Sequence, residues 1–141
     1  MLGTIVEVLV YAALGTVLMG LASLVFDLIV PYDFQGDIAQ GNKAAAWVCA
    51  GIYIGIGFLL RTVISDYGEA VQYQLLDGVL VTCLWSGIAL ALFVAAYFLL
   101  DIVLFRKIDF NDEIRHGNEA VGIVVFGILV GIAFVMSGVV M

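Results

Sequence analysis

The chain has 141 residues, of which 65% are hydrophobic and 12% charged, with a formal net charge of -7. Its charge content is about half of the ~25% typical of soluble domains, and its mean hydropathy is +1.20, so a water-soluble fold is excluded. With 5 Lys and Arg against 12 Asp and Glu there is no basic surface to neutralise phosphates, which excludes nucleic acid as a partner.

The apolar residues fall in four runs, near 4–30, 44–65, 78–100 and 119–141. Each reaches the ~20 residues that a helix needs to cross about 30 Å of hydrocarbon. None alternates with the period of two that a barrel strand requires. The expected fold is therefore an all-α integral membrane protein with four transmembrane helices, in one domain spanning 1–141. The lipid bilayer is its first partner.

The first run has no Lys or Arg before it and contains Glu7, unlike a secretory signal, so it reads as a retained helix. Near its end stands Asp27, followed by Asp33-Phe34-Gln35-Gly36-Asp37-Ile38-Ala39-Gln40-Gly41-Asn42. Asn42 is a strong N-cap for the second run, and Gly41 permits a sharp entry. Phe34 and Ile38 are four apart, so they share one face of a short helical turn, expected to lie on the membrane surface with that face down. In the second run Ala44, Gly51 and Gly55 fall on one stripe. Gly51 and Gly55 form a small-xxx-small pair, which lets helix backbones approach closely. Trp47 reads as an interfacial belt residue and Arg61 as the mark of the helix end.

The third run opens after Asp77 and ends near Tyr97, a second belt candidate, and Asp101. Thr16 in the first run and Thr82 and Ser86 here are expected to bond to their own helix backbone. Trp85 is deep enough for its indole N–H to need a partner. Cys49 and Cys83 differ in expected depth by roughly 15–20 Å, too far for a disulfide within the chain.

The segment Asp109-Phe110-Asn111-Asp112-Glu113-Ile114-Arg115-His116-Gly117-Asn118 matches the first turn at a constant offset of 76. The match continues into the fourth run, where Gly127 and Gly131 answer Gly51 and Gly55, while Asp101 answers Asp27 with a two-residue shift. The chain thus reads as two tandem two-helix repeats, 4–65 and 78–141. Two crossings return the chain to its starting side, so both copies insert in the same sense, and a pseudo-two-fold axis along the membrane normal is expected. Lys43, Arg106, Lys107 and Arg115 border the two repeated turns, against Arg61 alone on the opposite side. The positive-inside bias then puts the turns in the cytoplasm and both termini outside.

The twice-repeated acidic-Ile-x-x-Gly-Asn-x-Ala turn leading into a Gly-rich helix resembles the bacterial domain-of-unknown-function 350 family of small inner-membrane proteins, over nearly the whole chain. The resemblance implies a multi-pass inner-membrane protein with periplasmic termini and brings no catalytic residues with it. Some members of that family lie in gene clusters with envelope-stress proteins, a setting that assigns no activity.

The residues themselves show no phosphate loop, HExxH, Gly-x-Ser-x-Gly or paired cysteines, so no catalytic residue, metal site or cofactor is assigned. The repeated acids Asp33, Asp37, Asp109 and Glu113 read first as a solvated acidic face, with a divalent cation held by oxygen ligands as the alternative. Asp27 and Asp101 mark either the interface or a functional or inter-helix contact. Two functions remain open. One is a structural or accessory subunit that assembles as a homo-oligomer or with a membrane-complex partner through the Gly-rich stripes. The other is an oligomeric channel or transporter for a small solute or ion.

Overall fold

In hydrocarbon no water satisfies the peptide groups, so a long apolar segment closes its hydrogen bonds within itself as helix. The computed structural model describes residues 2–69, 75–103 and 105–140. Its elements in chain order are α1 (Leu2–Ile29), the short α2 (Phe34–Ala39), α3 (Lys43–Glu69), α4 (Leu75–Val103), the short α5 (Phe110–Arg115) and α6 (Glu119–Val140). Among the described residues there is no strand. Four helices are long and apolar enough to cross a membrane. The second and third outrun the apolar segments that announce them. Arg61, expected at a helix end, consequently lies about two turns before the end of α3. Residues 70–74, within the expected loop between the second and third crossings, lie outside the described residues.

The centre of the bundle is α3, which packs on all three other long helices. It runs parallel to α6: Lys43 Nζ lies 4.0 Å from Glu119 Oε2 near one end, and the Phe58 and Phe134 rings are 4.3 Å apart farther along. Their backbones meet closely at Gly122, where an added Cβ would stand 2.6 Å from the Ala44 carbonyl oxygen and 2.7 Å from its Cα. Helix α1 is antiparallel to α3, with the Tyr53 hydroxyl donating to Ser23 Oγ at 3.3 Å. Helix α4 crosses α3 with the Phe93 ring against Gly55. Phe26, Phe93, Ile52, Ile56 and Leu129 are fully buried between these helices. The outward faces carry large apolar side chains such as Leu28, Leu84 and Val139, as a lipid-facing surface requires.

The two glycine stripes part company. Gly51 and Gly55 are buried, an added Cβ at Gly51 lying 3.1 Å from Phe126 Cα. Gly127 and Gly131 are exposed, with nothing within 4 Å of an added Cβ. Within one chain, therefore, only the first stripe makes close contact. The hydroxyls behave as expected, Thr16, Thr82 and Ser86 each donating to the carbonyl four residues earlier. Both cysteines are free.

Two expectations are corrected by packing. Phe34, Phe110 and Ile114 do not face a membrane surface: all are fully buried, and Ile38 packs on the same core, so the short helices turn their apolar faces into the protein. Tyr97 is not a belt residue but is 1% exposed, ringed by Phe26, Phe98 and Phe110. Trp47 sits half-exposed in the first turns of α3, edge-on to Phe126 at 5.3 Å, and donates its indole N–H to Glu119 Oε1.

Candidate functional site: the paired acidic turns

A six-residue helix has too few internal hydrogen bonds to stand alone, so its ends must be satisfied from outside. At α2, Asp33 caps the start, its Oδ1 accepting from Gly36 N at 2.9 Å, and Asp27 Oδ1 accepts from Phe34 N at 2.8 Å. At α5, Asp109 Oδ1 accepts from Asn111 N and Asp112 N, and Asp101 Oδ1 accepts from Phe110 N at 2.7 Å. Asp27 and Asp101, left open between interface marker and contact, are thus contacts: each ties the end of a long helix to the short helix after it.

Both short helices end alike. Gly41 (φ 86°) and Gly117 (φ 81°) occupy the left-handed region that only glycine enters at little cost. The Gly41 N–H bonds to Ile38 O and the Asn42 N–H to Asp37 O; the Gly117 and Asn118 N–H groups bond likewise to Ile114 O and Glu113 O. This is the Schellman arrangement, which satisfies the last carbonyls of a helix.

The asparagines then diverge. Asn42 acts as the expected cap, Oδ1 accepting from Ala45 N at 3.2 Å. Its amide also crosses to the second turn, donating to Ile114 O at 2.7 Å and Arg115 O at 3.3 Å. The Asn118 amide stays local, donating to Glu113 Oε2 at 2.6 Å. One asparagine therefore fastens the two turns together while its counterpart holds a carboxylate. No local pattern could have shown this, because the bonded residues are 72 and 73 positions apart.

Beneath the turns lies a polar cluster that sequence reasoning missed. The buried Tyr97 hydroxyl donates to Asn111 Oδ1 at 2.8 Å. Tyr32, 8% exposed, turns its hydroxyl toward that of Tyr97, and Asp37 Oδ2 is occluded without a hydrogen-bond partner. Burial, assisted by the charges of Asp37 and Asp27, pushes the Tyr32 pKa up to about 12, so this side chain stays a neutral hydroxyl at physiological pH. His116 Nδ1 lies 3.3 Å from Asp112 Oδ1 on the exposed rim. Among the described residues no three His, Cys, Asp or Glu side chains converge on one point as a metal centre would need. Asp27, Asp33, Asp101 and Asp109 are engaged with backbone N–H groups, which makes them structural holders of the turns.

The model of a family described as Domain of Unknown Function (DUF350) matches residues 1–140. The chain is 29% identical over 134 residues to the UPF0719 transmembrane protein YshE of Bacillus subtilis (strain 168), covering 94% of this chain and 92% of that one. It is 24% identical over 132 residues to a UPF0719 transmembrane protein of Aquifex aeolicus (strain VF5), covering 94% of this chain but 48% of the relative. No solved structure matches.

Proposed function

The chain belongs to the DUF350 family, and on that premise we propose that it is a homo-oligomerising structural or accessory subunit of a bacterial inner-membrane complex. In this reading the two halves are tandem two-helix repeats related by a pseudo-two-fold axis along the membrane normal, with the acidic turns cytoplasmic and both termini periplasmic. The matched offset of 76, the parallel course of α3 and α6 and the like capping of the two turns support it. In this reading Asp27, Asp33, Asp101 and Asp109 serve as holders of backbone N–H groups, and no catalytic role is given to them.

The observation that carries the assembly is the open face of α6. Gly127, Gly131 and Gly138 lie on it with nothing near an added Cβ, whereas Gly51, the sequence counterpart of Gly127, is pressed against α6 in the same chain. Lipid chains are as apolar as the helix, so helices associate in a bilayer where small residues allow close backbone contact. A second copy of the chain supplies that contact. Gly127→Leu combined with Gly131→Leu is expected to convert a multimer to a monomer in mild detergent, measured as protein mass by light scattering, with helical circular dichroism unchanged. A wild-type chain that is monomeric, or a double variant that stays multimeric, contradicts the assembly.

A further inference from the structure

One stripe of α3 lies open between its neighbours. On one side α1 covers the helix, with Met19 over Gly57 and Gly15 against Leu60. On the other side α6 is pressed to it, with Phe126 beside Gly51 and the Phe134 ring on Phe58. Ile54, Arg61 and Ser65 follow at spacings of seven and four, so they share the face between these contacts, and all three are exposed. Arg61 stands eighteen residues beyond Lys43, roughly 27 Å along the helix, where the hydrocarbon layer is about 30 Å thick. Lys43 marks the end of the bundle that holds the acidic turns, so Arg61 lies at the border of the opposite leaflet. Among the described residues it has no ion-pair partner. A guanidinium at that depth keeps its charge and reaches for the headgroups, while its methylenes stay on apolar surface.

We propose that Arg61 and Ser65 hold the phosphate of a phospholipid from that leaflet, with one acyl chain laid along Ile54 and Ala50 between α1 and α6. The guanidinium fork matches two phosphate oxygens, and the Ser65 hydroxyl adds a donor one turn nearer the water. Below them the stripe is apolar: Ile54 is 50% exposed and Ala50 half-buried. The same end of the bundle carries the exposed acids Glu7, Asp66 and Asp77, with the Tyr11 hydroxyl of α1 against Gly78 of α4 fixing that level. Their charge repels a net anionic lipid and favours an ammonium headgroup, which selects phosphatidylethanolamine. A helix of a second copy laid on the stripe would cover the guanidinium, whereas a lipid leaves it among headgroups. The site does not depend on the proposed oligomer.

Native mass spectrometry of the purified full chain in mild detergent, titrated with phosphatidylethanolamine, phosphatidylglycerol or inorganic phosphate, tests this. One phosphatidylethanolamine is expected to bind per chain, and Arg61→Gln to weaken it on the order of tenfold, as loss of a charge-assisted bond requires. Arg61→Lys recovers part of that loss. Ile54→Trp, which fills the stripe below an intact Arg61, also weakens binding, whereas Lys43→Gln leaves it unchanged. Circular dichroism checks that each variant folds. Wild-type affinity in Arg61→Gln overturns the proposal, as does phosphatidylglycerol binding equally tightly or displacement of the lipid by inorganic phosphate. A wild-type chain that takes up no lipid also overturns it. If Arg61→Gln then lowers the mass of the assembly, the stripe belongs to a second copy instead.

Discussion

Gly122→Ala is expected to destabilise the fold by about 3 kcal/mol, toward the upper end of the overpacking range, and Gly122→Leu to separate α6 from α3. The added Cβ meets the Ala44 carbonyl oxygen, Cα and carbonyl carbon at 2.6, 2.7 and 3.0 Å. These are backbone atoms within a helix, so no side chain can rotate away, and one helix must move. The movement would loosen the contacts on either side of the crossing, including Lys43 with Glu119 and Phe58 with Phe134. Gly87→Ala, at an exposed position of α4, is the control, because nothing lies within 4 Å of its added Cβ. The control should stay within about 0.5 kcal/mol or gain slightly from the helix preference of alanine. Unfolding of both variants by sodium dodecyl sulfate titration measures the difference. Equal costs for the two would mean that α3 and α6 do not cross at this point.

Asn42→Ala should cost about 2–3 kcal/mol, and Asn118→Ala less than about 1 kcal/mol, although the two residues are counterparts in sequence. Asn42 loses its cap on Ala45 and both bonds to the second turn, and it leaves Ile114 O, in a buried residue, with only the Gly117 N–H. Asn118 loses one exposed bond to Glu113, which water replaces. Denaturation midpoints of the two variants give the ratio directly. Similar costs would show that the bridge between the turns adds nothing to stability.

Much of this architecture was legible because its causes are local. Four long apolar runs have no alternative to helix in a membrane, and Gly-Asn at the end of each acidic turn specifies a left-handed glycine, followed by a side-chain cap at Asn42 but not at Asn118. The missed features come from contacts between distant segments. Gly122 is one of 16 glycines, and only the meeting of two particular helix faces makes it indispensable. The Phe34 and Phe110 faces read equally well as membrane-seeking; Asp27 and Asp101 hold the N–H groups of those two residues and draw the short helices onto the core instead. Tyr97 has the composition of a belt residue, and Asn111, fourteen positions on, receives its hydroxyl inside the protein. Likewise the two glycine stripes look alike in sequence, but α6 covers the first, and among the described residues nothing lies within 4 Å of an added Cβ on the second.

The account stands on two halves that cross the membrane in the same sense, with both acidic turns on one side. Single cysteines at Gln35 and at His116, each in a Cys49→Ser, Cys83→Ser chain, test this through labelling of intact cells with a membrane-impermeant maleimide. Both positions should be protected in intact cells and labelled after lysis, while a cysteine at Thr4 is labelled in both cases. Labelling of one turn but not the other in intact cells would place the halves in opposite senses and contradict the account.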